Sequence, residues 1–245
     1  MSAATAPGLF AGARCLWQGL VLLTRPSLRR WAVMPVLIST LLFGLLAVGL
    51  GNELLALVAP DADESLVWLR WLIWLGLGIA GLIACGFLLA LLAGIVAAPF
   101  LSQLTAAVAH ELDPTTLEAP QAGGWRSLGQ GLAGEWQKLK YMLLLLVLPV
   151  LVMLVPGLNL LAPLCWFVVG AWLLAVEFVD YPCAHRGQPF PGVLQVLRLH
   201  RRLAFGFGGG VTLLSALPLL NCLLLPAAVA GACVLYQRYC AGGRP

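Results

Sequence analysis

Four stretches of this chain carry no charged side chain, and their length limits what it can fold into more than any other feature. They lie between Arg30 and Glu53, Arg70 and Glu111, Lys140 and Glu177, and Arg202 and Arg238. An apolar run of about 18 residues or more reads as a membrane helix. The chain also has too little polar surface to coat a water-soluble body. It is 61% apolar and 10% charged, with a mean hydropathy of +0.96, whereas soluble domains carry about 25% charge. The expected class is an all-α integral membrane protein. The first thirty residues do not read as a cleaved leader, because basic residues are missing from the first dozen and no small-x-small cleavage site follows.

The runs are not alike. Trp31 to Asn52 is 22 residues, about 33 Å as a helix and so one bilayer core. Trp71 to His110 is 40 residues, about 60 Å and twice what a core needs. Gly86, Gly94 and Pro99 are the places for it to bend, and Pro99 disfavours helix at Ala98. The reading is therefore a transmembrane helix over 71–98 and an amphipathic exit helix beginning at "FLSQLTAAVAHEL".

The third run, Tyr141 to Val176, is interrupted by "VPGLN". Pro156-Gly157 supplies a turn with a residue at positive φ, and Asn159 is expected to cap the next helix. The two limbs are then about 15 and 17 residues, roughly 22 and 25 Å, each short of a 30 Å core. The fourth run repeats the spacing, with Pro218 and Asn221 62 residues later. Two helical hairpins that enter the bilayer partway are expected, alongside two long transmembrane helices. Two ordinary pairs of short tilted helices would satisfy the same pattern. The organisation is a single membrane domain over 1–245: a cytoplasmic amphipathic segment (1–30), transmembrane helices (31–52 and 71–98), an acidic external loop (53–70), a cytoplasmic helical region (99–140), hairpin 1 (141–176), a cytoplasmic connection (177–202) and hairpin 2 (203–238).

Orientation follows the basic residues. Thirteen of the 14 Lys and Arg lie in segments 14–30, 126–140, 186–202 and 238–244, while the loop after the first span holds Glu53, Asp61, Asp63 and Glu64. Both termini and both hairpin bases are thus placed in the cytoplasm.

Candidate chemistry is sparse. In "LTRPSLRRW", Thr24 or Ser27 can cap a helix and Pro26 suits its first turn. A helix start with free N–H groups, joined by Arg29 and Arg30, suits an oxyanion. A cytoplasmic anchor touching lipid phosphates would use the same residues. Glu135 and Trp136 precede hairpin 1, and Glu135 can pair with Lys138 at i, i+3 or instead hold an arginine of the anion site. Asp180, in "EFVDYP", is assigned Arg198, Arg201 or Arg202 as partner. The glycines of "FGFGGG" suit close helix packing. Catalysis finds no motif: His110 lacks the second His of H-E-x-x-H, and G-x-S-x-G is missing. The seven cysteines include no C-x-x-C pair and read as small apolar residues. No cofactor, metal or nucleic-acid partner is implied, and the chain is not expected to be an enzyme.

Five segments in order, "GLVLLTRPSLRRWAVMPVLIS", "GIVAAPF", "GEWQKLKY", "LVPGLNLLAPLCWFVVGAWLLAVEFVDYP" and "FGFGGGVTLLSALPLLNCLLLPAAVAGA", together resemble the CysZ family of bacterial inner-membrane sulfate transporters, the EI24-related family. The resemblance spans about Gly19 to Tyr239. It implies sulfate uptake for cysteine biosynthesis, two long membrane helices with two partly penetrating hairpins, and a homo-oligomer in contact with membrane lipid. It also maps the family's sulfate-binding arginine pair onto Arg29 and Arg30, with Ser27 and Leu28 offering backbone N–H groups. The family's Glu-Trp motif falls on Glu135 and Trp136. A channel-like or facilitated pathway is the expected mechanism. The other class left open is a non-transporting membrane scaffold or lipid-binding regulator.

Overall fold

The structure is a computed structural model of the chain. It describes residues 8–25, 28, 100–114, 125–216 and 218–241, together with scattered positions between 33 and 81; for 125–132 and 218–223 only the helical backbone is described. Two compact units emerge, one comprising Met1–Ala32 with Leu101–Pro245, the other Val33–Phe100. Every regular element among the described residues is helical.

In the smaller unit, the described positions of 33–49 and 68–81 are helical. Met34, Leu37, Leu41, Leu45 and Val48 are all exposed at three- and four-residue steps, and Trp68, Trp71, Leu75 and Ile79 repeat the pattern. Exposed apolar side chains of this size suit a lipid surface. Both ends of the expected transmembrane helix 31–52, the end of the one expected over 71–98, and all of the expected acidic loop 53–70 except Trp68 lie outside the described residues.

Seven helices are found among the described residues of the larger unit: α1 (Leu9–Leu22), α2 (100–112), α3 (Trp125–Leu154), α4 (Ala162–His185), α5 (Phe190–Leu199), α6 (Arg201–Ser215) and α7 (Pro218–Leu235). A π-helical turn, Tyr236–Cys240, follows α7. α1 lies against α6 and α7, α4 packs on the same pair, and α3 leans on α4. α2 is amphipathic as expected: Leu101, Leu104, Thr105, Val108 and Ala109 are buried at helical spacing, while Ser102, Gln103 and His110 are exposed.

The packing of α1 depends on missing side chains. A Cβ on Gly206 would collide with the Leu9 carbonyl, and one on Gly12 with the backbone at Leu203 and Phe207. Farther along, Gly19 meets the backbone at Ala227 and Gly231. The "FGFGGG" glycines therefore serve close helix approach, and their partners are α1 and, through Gly208 against Ala171, α4. α1 is not amphipathic in the ordinary sense: opposite its buried face, Leu9, Phe10, Trp17 and Val21 are exposed.

The third charge-free run breaks where proline and glycine place it. α3 ends at Leu154, Gly157 stands at φ +88°, and Leu158 and Asn159 both donate their N–H to the Val155 carbonyl. Two details differ from the sequence reading. Asn159 opens a short 3-10 turn, Asn159–Leu161, and does not cap α4, whose N-cap is Leu161 without a side-chain bond. The limbs also outrun the charge-free interval, because α3 begins at Trp125 and α4 continues through Pro182 to His185. Stretches Ala133–Leu154 (22 residues) and Asn159–His185 (27 residues) are long and apolar enough to cross a membrane.

The second Pro-x-x-Asn is not a copy of the first. α6 ends at Ser215, and Pro218 is already the first residue of α7, so Asn221 lies within the helix. Proline suits a first helical turn, where its missing N–H has no partner to lose. No glycine follows Pro218 to supply positive φ, so the chain reverses before the proline.

Candidate functional site

The ion pairs among the described residues of the larger unit lie at two places. The first is the base of the hairpin made by α3 and α4. Lys138 projects from α3 with only 10% of its side chain exposed, and its ammonium lies 2.9 Å from Glu177 and 2.9 Å from Asp180. The contact to Asp180 is a hydrogen bond donated by Nζ to Oδ2. Glu177 and Asp180 are three residues apart on α4 and so share a face. Glu135, one turn before Lys138, approaches at 4.0 Å from a mostly exposed position. A lysine removed from water is stable as an ion only when paired and hydrogen-bonded, and two carboxylates do that here.

One turn nearer the tip, the Trp172 indole N–H donates to the Tyr141 hydroxyl at 2.8 Å, and Phe190 of α5 meets Tyr141 edge-on at 5.9 Å between ring centroids. The base of the hairpin is thus tied across its limbs twice, by charge and by an aromatic pair. Trp136 stays outside the cluster: it is exposed, with the Lys140 ammonium 5.2 Å above its ring.

This corrects the assignment of Asp180. Its partner is Lys138, not Arg198, Arg201 or Arg202. The pairing of Glu135 with Lys138 is present, at the long limit of an ion pair. Glu177 was missed as a member of the cluster. A small depression lined by Ala109, Pro182, His185, Arg186, Cys233, Tyr236 and Gln237 includes none of the four.

The second place is the segment after α1. The Thr24 hydroxyl donates to the Val21 carbonyl at 2.7 Å, closing the end of α1 and not opening a new helix. Arg25 forms an ion pair with Glu111 of α2. Leu28 is 1% exposed, and its N–H donates to the Arg25 carbonyl at 3.1 Å, so that donor is engaged in a turn. Ser27, Arg29 and Arg30 lie outside the described residues. Among the described residues, no group of three or more His, Cys, Asp or Glu is arranged to hold a metal ion.

Residues 15–226 match the family described as "Sulfate transporter CysZ/Etoposide-induced protein 2.4". A protein named Sulfate transporter CysZ from Pseudomonas aeruginosa strain PAO1 is 31% identical over 237 residues, covering 93% of this chain and 95% of the relative. Its namesake in Pseudomonas paraeruginosa is 32% identical over 237 residues, with the same coverage of 93% and 95%. That of Salmonella typhimurium strain LT2 is 30% identical over 227 residues, covering 89% of this chain and 88% of the relative.

Proposed function

The chain belongs to the sulfate transporter CysZ/etoposide-induced protein 2.4 family, and from that premise we propose that it carries sulfate across the bacterial inner membrane. The observation that bears most weight is identity of 30% or more with named sulfate transporters along almost the whole chain. Two helices long and apolar enough to cross a bilayer agree with a membrane protein. Uptake for cysteine biosynthesis, a multi-pass arrangement with both termini cytoplasmic, and a homo-oligomer in contact with lipid complete the reading.

Sulfate is bound by Arg29 and Arg30, whose forked guanidinium donors match a tetrahedral oxyanion, with the Ser27 N–H as a further donor. Leu28 acts by its burial, which fixes the segment, because its N–H is already given to Arg25. The supporting group is the ion cluster at the hairpin base. Lys138, held by Glu177 and Asp180, sets the register of α3 against α4 and so the positions of Glu135 and Trp136. No nucleotide-binding motif supplies energy, and the reading is a channel-like or facilitated pathway. A doubly charged anion cannot cross bare hydrocarbon; hairpin surfaces of neighbouring subunits, entering the bilayer partway, provide the polar wall.

The test is radiolabelled sulfate uptake by purified protein in proteoliposomes. Wild type is expected to take up sulfate, and Arg29→Ala with Arg30→Ala to lose both binding and uptake. Binding and flux unchanged in the double variant would remove the site; wild type without flux would remove the function.

A further inference from the structure

Residues 181–245 contain six arginines and no Asp or Glu. Three of them, Arg198, Arg201 and Arg202, crowd the corner where α5 passes into α6, and all three are exposed. The sequence reading gave them Asp180 as partner, but Lys138 holds it. Glu177 is bound to the same lysine and Glu111 to Arg25. None of the three arginines makes an ion pair with a described residue. Three cations within five residues, without a counter-ion among the described residues, suit an anion from outside.

The corner also carries an apolar group. Leu199, between the arginines, is 81% exposed. α5 is amphipathic, with Phe190, Val193 and Leu197 buried against the bundle. His200, at the corner itself, bonds through Nε2 to the Tyr239 carbonyl at 3.1 Å. The Ala204 N–H donates to the His200 carbonyl at 3.0 Å. The corner is therefore held in place and presents arginines and a leucine together.

A free oxyanion would satisfy the arginines and leave Leu199 in water. A phospholipid supplies both halves, a phosphodiester for the guanidinium forks and acyl chain for the leucine. We propose that the α5–α6 corner, through Arg198, Leu199, Arg201 and Arg202, is a binding site for anionic phospholipid headgroups. The inference rests on the chain lying in a membrane, as the proposed function has it, but not on sulfate transport.

The experiment is native mass spectrometry of the full-length protein in detergent with equimolar phosphatidylglycerol and phosphatidylcholine of matched acyl chains. Wild type is expected to retain phosphatidylglycerol in excess. The R198Q/R201Q/R202Q variant is expected to lose about fivefold or more of that preference, since each arginine near an anionic surface contributes about fivefold. R14Q, which removes an exposed arginine of α1, is expected to leave the preference unchanged. An unchanged preference in the triple variant, or an equal loss in R14Q, overturns the proposal. Sodium sulfate replacing chloride at equal ionic strength separates the two sources of oxyanion. Retention that persists supports a lipid site; displacement of the lipid by sulfate overturns it in favour of a soluble-anion site. If the triple variant gives no monodisperse protein, the three single Arg→Gln variants are read instead, and no change in any of them overturns the proposal. Carbonate extraction of wild-type membranes runs alongside. Release of the protein there refutes the membrane reading itself, whereas retention with no lipid preference refutes only the corner.

Discussion

Replacing Lys138 by methionine removes one charge and keeps the unbranched apolar stem, so its effect isolates the ion cluster. The ammonium is 2.9 Å from both Glu177 and Asp180, whose side chains are 36% and 17% exposed. Without it, two carboxylates on one face of α4 lose their counter-ion together. Removing one partner of a buried pair costs about 3–5 kcal/mol. Water reaches Glu177 and screens part of the penalty, so about 3 kcal/mol is the appropriate figure. For a chain of this size each kcal/mol shifts the melting temperature by about 2–4 °C, giving a fall of about 6–12 °C. Thermal unfolding of purified protein in detergent measures it. The neutral triple variant Lys138→Met, Glu177→Gln, Asp180→Asn then tests the cause, because removing all three charges leaves no unpaired ion. It is expected to regain most of the lost melting temperature. A Lys138→Met protein that melts within about 2 °C of wild type, or a neutral triple variant no more stable than the single one, would refute the reasoning.

Other consequences follow from packing. Gly206→Ala is expected to destabilise by about 1–3 kcal/mol or more, because its Cβ has no room against the Leu9 carbonyl. Gly170→Ala in α4 meets nothing within 4 Å and is expected to stabilise by about 0.5–1 kcal/mol; melting curves of the two should move in opposite directions. Burial pushes the Cys15 thiol up to about 11 and that of Cys240 up to about 12. Both stay protonated near neutral pH, so maleimide should label them slowly in the folded protein and quickly after unfolding, as mass spectrometry after timed quenching will read.

The break in the third charge-free run was legible because it depends on local dihedral preference alone. Proline and glycine side by side leave a helix little choice, and Gly157 takes the positive φ that the pair implied. The second break was misplaced by two residues for the same local reason: Pro218 without a following glycine starts a helix and does not end one. The ion cluster needed register, which composition does not carry. Once the tip is known, counting outward from Gly157 recovers it. Lys138 stands 19 residues before and Glu177 20 after, while Tyr141 and Trp172 stand 16 before and 15 after. Asp180 was assigned instead to arginines nearby in sequence, but it pairs with Lys138. The glycines of α6 were read as packing residues, but α1 as their partner was hidden, because a helix apolar on both sides does not declare which side is inner. For Arg29 and Arg30 the sequence speaks only through residue type and family resemblance.

How far the hairpin tip enters the bilayer decides what Asn159 does. Trp136 and Lys140, one above the other and both exposed, are the residue types that mark a membrane–water boundary. From Lys140 to Gly157 is 17 residues, about 25 Å of helix against a core of about 30 Å. An upright α3 therefore brings the tip within about 5 Å of the far headgroups, and one tilted by about 60° carries it about 13 Å, close to the midplane. The tip closes much of its own backbone: Leu158 and Asn159 donate to Val155, and Leu161 donates to Leu158. The side-chain amide of Asn159 caps neither helix and is exposed. Among headgroups that amide is satisfied by water; at midplane it needs a polar pathway or a second subunit. Asn159→Leu separates the two poses. With the tip among headgroups, sulfate flux in proteoliposomes should be unchanged. With the partly inserted hairpin of the proposed function, the amide lines the path, and flux should fall about tenfold, as losing one hydrogen bond of about 1.4 kcal/mol implies, while the melting temperature holds. Unchanged flux would remove partial insertion and leave a hairpin that crosses completely.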